Sequence, residues 1–324
     1  MTSTLAVALL AAGAAADELT IAMPGVPPVF GSVVTYAARE QGFFKKRGVE
    51  VEVRAFDSGA AAAQAVVAGS LDASLSPTPV VVRMISNAGV DLVALYGMEH
   101  PDWLLVSTDA KAAKCQDVNG QAVGVDSVGG ARSAALEQLI RPCGLKLDDV
   151  KLVSLSTNVG AAMVAGQLRY GVLHLDDLPV LDEQLRRPLA VVTSFQEVNP
   201  LSHYLVIVAL RERVKQKREA YVRMLAGLID ATSFVLDPGN ADKVAQVAAT
   251  VTGRTPKQAK EILPRMVKIG LWPVGQDGLA KANLDAVIAV EKELGGIKPG
   301  KTPVSYEKLV DRTVWKDASA LVMK

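Results

Sequence analysis

The sequence predicts an α/β fold: two doubly wound α/β lobes joined by two hinge crossovers. Three observations carry that expectation. Short apolar or period-two segments alternate with helix-patterned segments from Leu19 to Ala209, as parallel strands covered on both faces require. A block of helix, glycine, strand, turn and helix occurs twice. Two apolar segments, Trp103 to Ser107 and Tyr204 to Ala209, flank the second block as crossovers would.

The two blocks run from Gly31 to Leu75 and from Gly130 to Leu173. Matching glycines keep a near-constant spacing: Gly31 and Gly130 differ by 99 (130 − 31), Gly48 and Gly144 by 96 (144 − 48), Gly69 and Gly166 by 97 (166 − 69). An ordered match of this kind argues for two lobes of one architecture. The expected organisation is residues 1–16 as a signal peptide, 17–103 with 204–324 as a discontinuous first lobe, and 104–203 as the second.

In chain order, Leu19 to Met23 reads as a strand and PGVPPVF (Pro24 to Phe30) as irregular. Ser32 to Lys46 reads as one amphipathic helix ended by Gly48. Val49 to Phe56 alternates as a strand with period two. Ser58 caps an Ala-rich helix that closes at Gly69. Leu71 to Leu75 is a strand, Val80 to Asn87 a helix, Leu92 to Tyr96 a strand. In Ala122 to Leu139, a buried strand end (Val123 to Val125) meets a glycine-rich turn (Asp126 to Gly130) and then a helix. Such a turn can aim backbone N–H groups at an anion; the plain alternative is a connection with Ser127 as N-cap. Beyond Arg211 four helices are expected: Arg218 to Leu236, Ala241 to Val251, Pro256 to Ile269 and Gln276 to Leu294. They return to cover the first lobe.

The 324 residues are half hydrophobic with a net charge of +1, ample core for two medium domains and no basic stripe for nucleic acid. Leu5 to Ala12 is apolar but too short to span a bilayer. Ala14-Ala15-Ala16 before Asp17 fits a signal-peptidase site, although no Lys or Arg precedes Leu5, so the leader is atypical or truncated at its start. Export would permit a disulfide between Cys115 and Cys143; two unpaired thiols are the alternative. No nucleotide fingerprint, HExxH, GxSxG or Cys/His cluster occurs, so neither a cofactor nor a metal is expected.

Three segments carry a resemblance: AAREQGFFKKRGVEVEV (Ala37 to Val53), AVVAGSLDASL (Ala65 to Leu75) and VGVDSVGGA (Val123 to Ala131). They resemble the periplasmic substrate-binding proteins of ABC importers, in the taurine, alkanesulfonate, nitrate and thiamine-precursor branch. The resemblance covers nearly the whole chain after residue 16. It implies a type II periplasmic binding fold closing on its ligand like a Venus flytrap, and a periplasmic location. It also implies a permease in the inner membrane, with its ATPase, as partner. The branch has a catalytic relative, a thiamine-pyrimidine synthase with a cysteine-rich motif, which Cys115 and Cys143 are too far apart to supply.

Ligands of open parallel sheets sit beyond the carboxyl ends of the strands. The first lobe offers Pro27, Pro28, Val29 and Phe30, then Ser58 and Gly59, then Ser76 and Thr78. The second offers Ser127, Gly129 and Gly130, then Ser156, Thr157 and Asn158, then His174, Asp176 and Asp177. Ser58 and Thr157 read equally as caps, Phe30 as core, His174 as a structural histidine, and Asp176 or Asp177 as a cap of the helix near Leu178. Arg132 could pair with an anion; His203 and Tyr204 could line the cleft floor, and His100 less so. The expectation is a monomeric, non-enzymatic solute-binding protein taking a small organic anion, a sulfonate or carboxylate and conceivably aromatic, with the anion at Ser127–Gly130. The alternatives are an enzyme on the same fold acting on a pyrimidine or aromatic acid, and a ligand-sensing partner of a membrane receptor.

Overall fold

A computed structural model describes residues 17–98, 100–155 and 158–323. The leader expectation on residues 1–16, and Ser156 and Thr157, lie outside these described residues.

Among the described residues, ten strands form two five-stranded sheets. The first holds β1 (Asp17–Pro24), β2 (Val49–Phe56), β3 (Ala73–Pro77), β4 (Leu92–Met98) and β10 (Leu205–Leu210), in the order β2-β1-β3-β10-β4. The second holds β5 (Trp103–Ser107), β6 (Ala122–Val125), β7 (Lys151–Ser154), β8 (Tyr170–His174) and β9 (Ala190–Ser194), in the order β7-β6-β8-β5-β9. The orders correspond position by position. In each sheet the second strand in the order pairs in parallel on both sides, and the fourth strand pairs antiparallel with both neighbours. The expected repeat is thus present, and each sheet is largely parallel with one reversed strand. The antiparallel members are the two segments read as crossovers: β5 belongs to the second sheet and β10 to the first. The chain passes between sheets just before Trp103 and just before Leu205.

Among the helices that clothe the sheets are α1 (Val33–Glu40), α2 (Gly59–Val67), α3 (Thr78–Ala88), α4 (Ala131–Ile140), α5 (Val159–Val164), α6 (Leu178–Leu185), α7 (Arg218–Leu236), α8 (Ala241–Thr252), α9 (Pro256–Lys268), α10 (Lys281–Glu293) and α11 (Arg312–Val322). Strand alternation explains their placement. Leu19, Ile21 and Met23 of β1, with Leu205, Ile207 and Ala209 of β10, face a core shared with Val34 of α1 and Tyr221, Met224 and Leu225 of α7. The intervening Ala22, Val206 and Val208 face the opposite core, with Val66 of α2, Val82 and Ile85 of α3 and Leu284 of α10. In the second sheet Val172 and Leu105 pack on Leu136 and Leu139 of α4, while Leu104, Val106 and Leu173 pack on Val159 and Met163 of α5 and Leu181 of α6. Ala190–Ser194, a partly exposed edge strand, is one the sequence reading passed over.

Two helices differ from expectation. The helix expected over Ser32 to Lys46 breaks at Gly42, whose φ of 72° is left-handed, a conformation glycine adopts without a Cβ clash; a second short helix spans Phe43–Lys46. The helix expected from Gln276 starts only at Lys281, because Gly278 and its neighbours cross the end of the first sheet: Gly97 N–H donates to Asp277 O at 2.9 Å. No helix among the described residues is long and apolar enough to cross a membrane.

Candidate functional site

The residues expected at the first sheet's strand ends turn out to be engaged internally. Phe30 is 2% exposed and packs on Trp272, itself 1% exposed, at 6.2 Å between ring centroids; it is core. Ser58 is exposed and its Oγ accepts the Ala61 N–H at 3.1 Å as the cap of α2. Ser76 Oγ is buried and donates to Gly59 O at 2.9 Å. Pro28 is half-buried in the loop after β1. Thr78 Oγ1 lies 2.8 Å from His203 Nδ1, and His203 Nε2 lies 2.7 Å from Gly278 O. A carbonyl only accepts, so Nε2 carries the proton, Nδ1 is the acceptor and Thr78 donates. Burial pushes the His203 imidazole down to about 4, so it is neutral and structural. Its ring fills the space beside Gly97, where a Cβ would come within 2.9 Å of it.

The turn before α4 also differs from expectation. Asp126 Oδ1 accepts the N–H groups of Ser127 (2.8 Å) and Arg132 (3.1 Å), and Oδ2 accepts that of Ala131 (2.9 Å). Gly129 N–H donates to Ser133 Oγ at 3.1 Å and Gly130 N–H to Ser127 O at 3.1 Å. The expected anion seat at Ser127, Gly129 and Gly130 is therefore satisfied from within, by a carboxylate five residues before the helix. Val128, at the tip, is 73% exposed. Asn158, before α5, is exposed and makes no side-chain cap.

What the structure does gather is a cluster where the chain passes between the sheets. His174 ends β8, and its Nδ1 lies 2.9 Å from Asp102 Oδ1. Its ring stacks on Trp103, 3.7 Å between centroids, with Tyr204 edge-on to Trp103 at 6.3 Å. The Arg132 guanidinium lies over Trp103, its carbon 5.6 Å from the ring centre. Arg132 Nε donates to Val172 O at 3.0 Å, which fixes the plane of the fork. Among the described residues no side-chain or backbone acceptor pairs with its two terminal nitrogens. Trp103 Nε1, His174 Nε2 and Tyr204 Oη likewise have no partner there. The buried side-chain polar atoms without partners are Ser32 Oγ, Thr193 Oγ1 and Trp315 Nε1, so these tips retain contact with solvent. Four donors of one polarity thus surround a single junction.

The acidic residues nearby are compensated. Arg254, in the turn between α8 and α9, donates from Nη2 to Asp176 Oδ2 at 2.9 Å and to Asp177 Oδ1 at 2.6 Å. Asp177 also accepts the His174 N–H at 3.1 Å, which is a capping role. Burial, then the adjacent Asp177, push the Asp176 carboxyl above its usual range. Burial opposes protonation of His174, but the Asp102 charge and hydrogen bond outweigh it and raise its pKa; the imidazolium, a donor at both nitrogens, is favoured. Burial, with Asp102 and Asp176 nearby, holds the Tyr204 hydroxyl far above its usual range, so it stays a donor. Ligand atoms of Asp102, His174 and Asp176 lie within 4.8 Å of one another. Such a trio could hold a cation, but Asp102 is bonded to His174 and Asp176 to Arg254, which leaves little charge for a metal.

A cavity of about 200 Å³ opens beside the cluster, its lining including the charged Arg132, Arg254 and Asp177 and the apolar Ala161, Leu173 and Leu181. Of the residues singled out from sequence, the structure brings together Arg132, His174, Asp176, Asp177 and Tyr204. The side chains of Phe30, Ser58, Ser76, Thr78 and His203 are engaged with other partners, although the Thr78 N–H donates to Tyr204 O at 3.1 Å. Sequence reasoning missed Asp102, Trp103 and Arg254. Trp103 carried a signal, a lone aromatic at a crossover. The Asp102–His174 pair, 72 residues apart, and the Arg254 bridge, 78 residues long, carried none. The half-buried cysteines of the second lobe form a disulfide, Cys115–Cys143, with Cα atoms 5.9 Å apart.

The chain belongs to the NMT1/THI5-like family, whose model matches residues 30–241. It is similar to a binding protein of Brucella abortus, 23% identical over 231 residues, 71% of each chain. It is also similar to a thiamine biosynthesis protein of Haemophilus influenzae, 25% identical over 202 residues, 61% of this chain and 63% of that one. Among solved structures, the periplasmic aliphatic sulphonate-binding protein of Escherichia coli superposes with a TM-score of 0.70 at 17% identity, covering 94% of this chain and 99% of that one. The periplasmic nitrate-binding protein of Synechocystis gives a TM-score of 0.75 at 11% identity, covering 94% and 89%. These likenesses establish the fold as that of the binding components of ABC-type import systems.

Proposed function

We propose that this protein is an exported, non-enzymatic solute-binding protein that captures a small organic anion between its lobes and delivers it to an ABC permease with its ATPase. One observation carries the reading: the Arg132 guanidinium, fixed through Nε and unpartnered at both terminal nitrogens among the described residues, amid the donor tips of Trp103, His174 and Tyr204. A planar fork of this kind suits a carboxylate or sulfonate, and the aromatic rings beside it suit an apolar or aromatic body. The anion is assigned to Arg132, not to the Ser127–Gly130 turn. Support for a binder over a catalyst comes from the cysteines: both thiols are tied in the disulfide, whereas the synthase relative depends on a cysteine-rich motif. The protein acts as a monomer that closes on ligand, because contacts from both lobes are made together only in the closed form.

A thermal-shift screen of alkanesulfonates, aminosulfonates, aromatic carboxylates, nitrate and pyrimidines tests this. An anion should raise the melting temperature and be recovered unchanged. Arg132→Gln should weaken its binding about tenfold to a hundredfold, the loss of a charge-assisted pair. Affinity should also fall as pH rises through the raised pKa of His174, since the imidazolium is then lost. A shift given only by neutral compounds, undiminished in Arg132→Gln, would overturn the reading.

A further inference from the structure

We infer that Arg254 is a positioning residue: its bridge to Asp176 and Asp177 is a latch that holds the two lobes around the cleft. Arg254 comes from the first-lobe side. It stands between α8, which packs on α1 and on the turn at Phe30–Ser32, and α9. Asp176 and Asp177 stand on the other side, directly after β8 of the second sheet. The single guanidinium reaches both carboxylates, with Nε adding a contact to Asp176 at 3.3 Å. One turn along α9, Gln258 Nε2 donates to Glu183 Oε2 of α6 at 3.1 Å. So the turn before α9 and its first turn are each stitched to the second lobe.

Burial makes the bridge consequential. The side chains of Arg254, Asp176 and Asp177 are 21%, 9% and 20% exposed. Taking Arg254 away would leave two adjacent, largely buried carboxylates with only the His174 imidazolium, itself paired with Asp102, beside them, and separating the lobes would relieve them. With Arg254 present, closure compensates all three groups. The latch therefore biases the lobes toward each other independently of any ligand contact, and the apparent affinity of a cleft ligand scales with that closed fraction. Arg254 also lines the cavity that Arg132 lines, so the latch bears on the shape of that cavity. Asp177, which caps the β8–α6 turn through the His174 N–H, transmits the bridge to the histidine stacked on Trp103.

This inference concerns the regulation of the site read above as a ligand cleft, but its test needs no ligand. Small-angle scattering of the ligand-free full chain measures the radius of gyration of wild type, Arg254→Gln and Arg254→Lys, with a thermal melt of each to confirm folding. The Gln variant should show an upward shift in radius with its cooperative melt retained. The Lys variant should show a smaller upward shift, since one ammonium cannot hold both carboxylates as a fork does. It also decides the matter should the Gln variant not fold. A wild-type radius in the folded variants would overturn the latch. A chain that binds no anion would leave this result untouched, so failure of the latch and failure of the anion reading are told apart.

Discussion

His203 shows how one side chain is assigned by its partners. Thr78 donates to one nitrogen and Gly278 O accepts from the other, so a second proton has nowhere to go. The unfolded imidazole takes up a proton near 6.5 and the folded one only near 4. The stability from this group is therefore complete above 6.5 and is lost as pH falls toward 4, a loss of roughly 3 kcal/mol at most. Urea midpoints of wild type and His203→Gln across that range should converge as pH falls. Parallel curves would place the acid sensitivity elsewhere. At this scale the sequence was half legible. His174 and Tyr204 could be picked out because one ends a strand and the other stands at a crossover, and Arg132 because it lies in the helix that follows the glycine-rich turn. His203 could not be told from them, because its two partners lie 125 and 75 residues away. Asp102 and Arg254 act through equally distant pairings that no local pattern records.

The turn leading into α4 shows the same at the scale of an element. Its glycines, small residues and position all announced an anion site. Asp126, present in the same stretch, decided otherwise by turning its carboxylate onto the N–H groups of Ser127, Ala131 and Arg132. Asp126→Ala should lower stability by about 1 kcal/mol, the usual cost of a lost cap, measured by denaturant melt; no change would mean that water replaces it. Gly129 has a φ of 76° with open space around it. Gly129→Ala should cost about 1 kcal/mol from left-handed backbone strain while leaving ligand affinity intact. Lost affinity would return the anion to this turn. At its far end α4 runs into the Arg141–Cys143 turn, pinned to the Cys115–Val118 turn by the disulfide. Closing a separation of 28 residues contributes about 3–4 kcal/mol in the chain-entropy view. Cys115→Ala/Cys143→Ala should lower the melting temperature accordingly, and an unchanged melt would show that packing alone holds the helix.

For the whole molecule, the fold was legible because it is written twice. The matching glycines of the two blocks fall on corresponding elements of sheets ordered β2-β1-β3-β10-β4 and β7-β6-β8-β5-β9. The antiparallel strand in each sheet was less visible. Strand direction leaves no mark on a segment buried on both faces, as Leu205 to Leu210 is over nearly its whole length. Where the chain passes between the sheets, the junction gathers Arg132, Trp103, His174 and Tyr204, with the Arg254 bridge to Asp176 and Asp177 beside them. The claim that Arg132 is the anion's partner is tested most directly by a crystal structure of the protein with the anion that gives the largest thermal shift. The expected result is a carboxylate or sulfonate oxygen within hydrogen-bonding distance of a terminal nitrogen of Arg132. An anion bound instead at the N–H groups of Ser127 to Gly130, with Asp126 displaced, would contradict it.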